Sequence, residues 1–369
     1  MSELKVDKVS PRTGNYVALN TVGMKNIIIN GDMSIAQRGT SESGITAGGY
    51  KTIDRFRYSR NGTAPTLTMS QDTDVPTGQG FAKSLKLEVT TVYAFGSSDR
   101  AYIEQRFEGQ NLQYLKKGTS SAESLTASFW VKASVTGTYI VYIIDSDNTR
   151  QIAKSYTINS ANTWEKKTIT FEGDTTGTLD NDNAISLNLN FGLYAGSNYT
   201  SGTLATSWES TTNANTLVGQ VDAFATVNNT WQITGAQLEA GTTASDFEFL
   251  PVDVNLGRCE RYCQVIGDTT DANVPYAVGM ANSTANFRGV YSFKKEMRAT
   301  PSATVSSASD FRIFENGTDN VITALSFNQV SKRSCQVDAD TSGLVQGQAC
   351  IFRKLTYQDS AKVTLDAEL

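Results

Sequence analysis

Turn-borne carboxylates, four cysteines and a set of large aromatic rings are the side chains in this sequence that could do chemistry, and no histidine accompanies them. Without histidine there is no Ser-His-Asp or Cys-His arrangement, no His-ligated zinc and no imidazole general base. Carboxylate pairs survive that filter, because glycoside hydrolysis needs only two acids across a sugar. The acids, however, sit in turn contexts such as Asp145-Ser-Asp147, Gly173-Asp174 and Asp180-Asn-Asp-Asn183, where short acidic side chains bond their own backbone. No catalytic residue is therefore predicted, and the chain reads as a non-enzyme.

Cys259, Cys263, Cys335 and Cys350 all fall in the last third, too few and too clustered for a disulfide scaffold. Leu256, Cys259, Cys263 and Ile266 recur at helical spacing, which predicts a short amphipathic helix over 254–266 with its thiols inward. One-turn spacing is poor bridging geometry, so both thiols are expected free. Two thiolates would leave zinc half coordinated. Gly78-Gln-Gly80 and the glycines from Gly44 to Gly49 lack the helix and the Lys-Ser/Thr of a phosphate loop. No metal or cofactor site is predicted.

Phe129, Trp130, Trp164 and Trp231 have two readings: rings exposed to stack on sugars, or rings filling a core. Adjacent Phe129 and Trp130 must point to opposite faces of one strand, so one of them can face solvent. A formal charge of −5 and a pI near 5.1 supply no basic face, which excludes nucleic acid as a partner. No stretch approaches the ~20 apolar residues of a membrane helix, and the first residues, Met-Ser-Glu-Leu-Lys-Val-Asp-Lys, lack a signal-peptide core. No membrane insertion is expected.

The elements that must position these residues are strands. At 369 residues, 39% hydrophobic and 19% charged, with abundant Thr, Ser, Asn and Gly, the chain predicts an all-β protein of two or three domains. Ser84–Thr90 and Tyr102–Phe107 alternate apolar and polar residues as half-buried strands do, and Trp164–Phe171 and Ile185–Leu193 add two more. Ser124–Lys132 and Thr138–Ile144, separated by a short turn, predict a hairpin with one wet and one dry face. Residues 26–39 and Trp231–Glu239 read as the first and last strands of one sandwich, meeting edge to edge. Gln110–Leu115 is a short helical stretch. After Pro251 strand-like runs resume at Tyr276, Phe287–Phe293, Ala303–Val305, Phe311–Phe314, Val321–Phe327 and Ala349–Tyr357. Strands without crossover helices make a jelly-roll β-sandwich the economical solution, followed by a short helix and a second C-terminal β-sandwich.

The segments Asn26–Gly39, Asp54-Arg-Phe56, Ser128–Lys132, Asn162–Glu165, Trp231–Glu239 and Phe247–Pro251 together resemble the carbohydrate-binding-module-like jelly roll of bacteriophage tail-fibre and other virion structural proteins. Glu3–Gly14 resembles the start of marine-phage tail-fibre-like proteins, and Arg258–Gln264 with Phe293–Pro301 resembles the C-terminal β domain of phage tail proteins. The resemblance implies three regions: a virion-docking arm at 1–25, a jelly roll at 26–252 and a C-terminal β domain at 253–369. It implies other virion tail proteins as partners, a homotrimer, synthesis in the host bacterial cytoplasm, location in the virion tail, and adhesion to host-surface polysaccharide. A purely architectural virion protein and a glycan depolymerase are the alternatives. The resemblance also raises a structural calcium beside the joined strands, with Asp32 and Glu239 as the positions to inspect; two carboxylates fall well short of six oxygen ligands.

Overall fold

The computed structural model describes residues 24–267, 273–354 and 361–369, so the expected docking arm lies outside the described residues except for Met24 and Lys25. The described chain is all-β apart from one α-helix, Val252–Glu260, and short 3-10 turns. Its first sandwich faces a six-stranded sheet against a seven-stranded one. The front sheet runs in the order Ser41–Ile45, Thr66–Asp72, Ser84–Thr91, Thr230–Ala240, Leu125–Ala133, Glu165–Phe171. The back sheet runs Glu209–Ser210, Arg150–Ile158, Gly137–Asp145, Ile185–Ala195, Arg100–Glu108, Arg57–Asn61, Gly49–Tyr50. Every recorded pairing is antiparallel, and inward residues such as Leu87, Phe129, Ile103, Phe191 and Trp231 meet in one apolar cluster. Phe129 is edge-on to both Tyr156 and Phe191, as aromatic quadrupoles prefer.

Two expectations about strand pairing need correction. The predicted 124–132/138–144 hairpin does not form: Leu125–Ala133 lies in the front sheet and Gly137–Asp145 in the back one. The second strand instead makes its hairpin with Arg150–Ile158 across residues 146–149, and Tyr139 to Ile143 are all buried because both of its faces are covered. Residues 26–39 form no regular strand either. Thr230–Ala240 is an interior strand that pairs with Ser84–Thr91 only through Ile233. Beyond a bulge between Thr234 and Gln237, the vacated side is filled by 26–31: Ile27 N–H donates to Leu238 O at 2.8 Å and Ala236 N–H to Gly31 O at 2.9 Å. The Asn26 carboxamide completes the seam, donating to Ala236 O and accepting from Ile28 and Leu238 N–H. A side chain at Gly31 would collide with Ala236 O, which is why the contact is this close.

The helix starts after Pro251 and stops at Glu260, so Cys259 lies on it but Cys263 opens the next strand, Cys263–Ile266. The predicted helix to 266 is thus too long. Tyr262 N–H still donates to Cys259 O, after which the β-branched pair Val265-Ile266 favours extension. All four cysteines are free and buried. Cys263–Ile266, Val363–Asp366 and Ser302–Val305 make a three-stranded sheet. It accompanies a seven-stranded sheet, ordered Thr318–Val321, Phe311–Glu315, Ala349–Lys354, Pro275–Ser283, Asn286–Ser292, Ser334–Asp340, Ala324–Asn328. The expected 321–327 run is interrupted at Ile322, which turns inward, and the expected run to Tyr357 ends among the described residues at Lys354.

A buried polar seam joins the helix and the last residues to the first sandwich. Arg55, 1% exposed, pairs with Glu368, donates to Arg106 O at 2.7 Å, and lies 3.5 Å from the ring centre of Tyr262. Arg38 reaches Glu368 and Asp366 from the side. Glu108 accepts two bonds from Arg261, at 2.9 and 2.7 Å, and one from Tyr262 Oη. Burial pushes the Glu108 carboxyl up, but the bonds from Arg261 and Tyr262 outweigh it and hold the group below its ordinary value. A depressed carboxyl contributes stability above its unfolded pKa, about 4.3, and loses it as pH falls through the folded value. Glu108→Gln should therefore be less stable than the parent at neutral pH, and the difference should shrink in acid. Glu368→Ala should cost about 3 kcal/mol or more in urea unfolding at pH 7, because it strands a buried guanidinium.

Candidate functional site

The two sheets of the first sandwich treat their outer faces differently. On the back sheet, Ile140, Tyr142 and Ala153 are roofed by Tyr199, Ala205 and Leu217. The segment carrying those residues is tied down by Ala153 N–H to Ala205 O at 2.7 Å and Ile140 N–H to Gln220 Oε1 at 2.8 Å. The front sheet's outer face is accessible in part, at Trp130 and Lys132, while Thr126 and Ser128 are buried. There the outward residues of Leu125–Ala133 are Thr126, Ser128, Trp130 and Lys132, and register places Trp130 between Thr234 and Lys166.

Trp130 forms part of a cleft of about 210 Å³ whose other aromatic members are Phe81, Phe247 and Phe249. The three phenylalanines pack on one another at 4.8–5.1 Å between ring centres, so the wall is prearranged. Gln79, Ser128, Lys166 and Asp246 supply donors and acceptors around it. The bulge in Thr230–Ala240 makes the space: Gly235 adopts φ +59°, and a Cβ there would sit 2.5 Å from the Phe81 ring. A second aromatic platform stands on the same strand pair. Trp164 donates its indole N–H to Asp74 at 2.9 Å, and Lys132 pairs with the same carboxylate while lying 5.6 Å from the Trp164 ring centre.

Flat apolar rings edged by amides, a hydroxyl and charges match a sugar, whose C–H faces are apolar and whose rim is hydroxyl. Proton transfer is less well served. For Asp74 the slight burial acts upward, but bonds from Lys132 and Trp164 hold its carboxyl below the ordinary range. Glu165 is pulled to about 2 against a small burial effect by Lys167, Ser160 N–H and Asn159. Asp54, raised to about 6 chiefly by burial, lies away from the cleft with both oxygens accepting from Gln37.

Of the aromatics singled out in the sequence, Trp130 and Trp164 are partly exposed on the outer face, while Phe129 and Trp231 are 1% and 0% exposed in the core. Asp32 and Glu239 are engaged by the chain itself. Asp32 accepts from Ser34 and Asn255, and Glu239 from Gln237 and Ser245. Among the described residues no group of three or more His, Cys, Asp or Glu could hold a metal. Asp145 and Asp174 do more than turn the chain: both pair with the buried Lys117, and Arg150 forks onto Asp174. Phe81, Phe247 and Phe249 were not marked as site residues by sequence. The one available signal was the spacing of Phe247 and Phe249, which places both rings on one side of an extended segment.

No family model matches the chain, and no curated protein matches it. Among solved structures it is similar to the enzymatically active domain of tailspike protein 4 of bacteriophage CBA120, at 16% identity and TM-score 0.33, over 58% of this chain and 21% of that one. It is also similar to a family 11 carbohydrate-binding module from Clostridium thermocellum in complex with a β-1,3-1,4-mixed-linked tetrasaccharide, at 11% identity and TM-score 0.29, over 56% of this chain and 98% of that one. A family 4 carbohydrate-binding module is similar at 11% identity and TM-score 0.28, over 57% of this chain and 97% of that one. The chain thus spans about a fifth of the tailspike domain.

The two neighbours on one strand separate core from surface experimentally. Phe129→Ala should cost ~3–5 kcal/mol in denaturant unfolding, as buried aromatic truncations do, whereas Trp130→Ala should cost under about 1.5 kcal/mol. Equal losses at the two positions would place Trp130 in the core.

Proposed function

We propose that this chain is a bacteriophage tail-fibre or tail-associated virion protein that adheres to host-surface polysaccharide without turning it over. The observation that carries the adhesion reading is the prearranged Trp130–Phe81–Phe247–Phe249 cleft on the partly accessible outer face of the first sandwich. The tail assignment rests on the sequence resemblance and on the expectation that residues 1–25 dock to another virion protein. A shallow cleft of this volume holds little of a polymer, so useful affinity requires several copies acting together.

A homotrimer provides those copies, and the C-terminal unit carries a surface suited to it. Val278 and Val290, cross-strand partners, are 67% and 61% exposed, and Met280 on the same strand as Val278 is 52% exposed. Side-by-side apolar residues on a sheet face suit a contact with another copy of the chain and support this reading.

Host envelope polysaccharide should quench the tryptophan fluorescence of the intact chain saturably, and Trp130→Ala should weaken that binding at least tenfold with no reducing sugar released by the parent. Unchanged binding by Trp130→Ala would remove the cleft from the reading; release of reducing sugar would make the chain a depolymerase. Light scattering should give a trimer mass that falls to monomer in the Val278→Lys, Val290→Lys double variant. A parent that is monomeric both in solution and in the particle ends the trimer proposal.

A further inference from the structure

A second cleft, of about 280 Å³, opens where the first sandwich meets the helix Val252–Glu260. Three arginines line it, and their pairing differs. Arg106 pairs with Glu104 and donates to Leu369 O at 2.8 Å. Arg261 is forked onto Glu108. Arg258 has only a long bond, 3.3 Å, to the Asn26 carbonyl, and no carboxylate oxygen lies within 4.0 Å of it among the described residues. Glu248 acts on Arg258 through its charge while one of its oxygens accepts from Asn26 N–H. Arg258 is nevertheless partly buried, and burial pulls its guanidinium below the ordinary arginine range. Among the described residues, then, no carboxylate is bonded to this partly buried fork of donors, which lines an open cavity. Tyr114, 50% exposed, and Asn111 line the same cleft.

The geometry points to a second binding site, separate from the Trp130 cleft, for a sugar ring that bears a carboxylate: Arg258 takes the carboxylate and Tyr114 packs on the ring. A planar guanidinium matches a carboxylate through two parallel N–H bonds, which a spherical charge cannot do. An aromatic ring beside it accommodates the apolar C–H face. The cavity is slightly smaller than the ~300–1,000 Å³ of drug-sized sites, so it admits a single ring at a chain end or branch rather than a polymer segment. The proposal deepens the polysaccharide reading by naming acidic sugar as a class this chain selects, yet it stands on different residues, so either site can fail alone.

The test titrates the full chain at neutral pH with glucuronate, glucose and inorganic phosphate, following protein NMR shifts. Glucuronate should bind saturably with shifts centred on Tyr114 and Arg258, with glucose and phosphate at least about tenfold weaker. Arg258→Gln and Tyr114→Ala should each weaken glucuronate at least about tenfold, while Trp130→Ala leaves it unchanged. Arg258→Lys, which keeps the charge and loses the fork, should also weaken it and guards against a folding defect in Arg258→Gln. Absence of saturable glucuronate binding, binding unaffected by either Arg258 variant, or phosphate equal to glucuronate would each overturn the proposal, the last by showing a site for charge alone. Loss of polysaccharide binding in Trp130→Ala with glucuronate binding intact would leave both sites standing.

Discussion

A single buried guanidinium holds the architecture to one arrangement. Arg55 is 1% exposed, and taking its charge out of water is expensive unless it is paired; its two terminal nitrogens are paired, while its Nε has no bonded partner among the described residues. Glu368 supplies the counter-charge, the Arg106 carbonyl a further acceptor, and Tyr262 a π face at 3.5 Å. Those groups come from the last residues of the chain, a back-sheet strand and the corner after the helix. None of the three can move independently without leaving the guanidinium unpaired. Arg55 itself sits at φ +71°, a left-handed conformation disfavoured for a side chain of its size, and is kept there by what surrounds it. Glu108 repeats the logic a short way along, binding Arg261 and Tyr262 from the same corner.

That seam occupies one part of the sandwich and leaves the outer faces to be resolved separately. The back sheet could not be left bare, because Ile140 and Tyr142 point outward from it, so the segment through Leu217 covers them. The front sheet points Thr126, Ser128 and Lys132 outward; Thr126 and Ser128 are buried, Thr126 donating to Gly241 O, and Trp130 and Lys132 stay partly exposed. Trp130 came to line a cleft because the neighbouring strand bulges at Gly235 and lets Phe81 lean over the break. The bulge is thus responsible for two features at once: the site beside Trp130 and the gap into which residues 26–31 are threaded.

The all-β class was legible because alternation such as Ser84–Thr90 is a local property, decided by period rather than by partners. Strand pairing was not. The short connection after Ala133 looks like a hairpin loop, and only the unbroken apolar run Tyr139–Ile143 signals that both faces of the next strand are buried. The opposed directions of Phe129 and Trp130 followed from pleat geometry, but which of the two faced water depended on the second sheet. Cys263 was misplaced because Leu256, Cys259, Cys263 and Ile266 satisfy a helical period whether or not the helix continues. Arg55 was invisible as a keystone, since its counter-ion lies 313 residues away and nothing local distinguishes it from a surface arginine.

Affinity and rigidity are connected through that same keystone. On the proposed reading, a site of about 210 Å³ contacts too little of a polymer to bind it tightly alone, and its strength would come from copies presented together. Effective concentration is high only when the spacing between copies is fixed, and a sandwich swinging freely on its C-terminal unit would spread its clefts over many separations. The Arg55–Glu368 and Glu108–Arg261 contacts remove that freedom by making any swing expose or unpair buried charge. If copies associate through the Val278–Val290 face, the distance between their clefts is then a property of the folded chain rather than of a linker. Selectivity would follow from how densely a surface displays its glycans as much as from which sugar it displays.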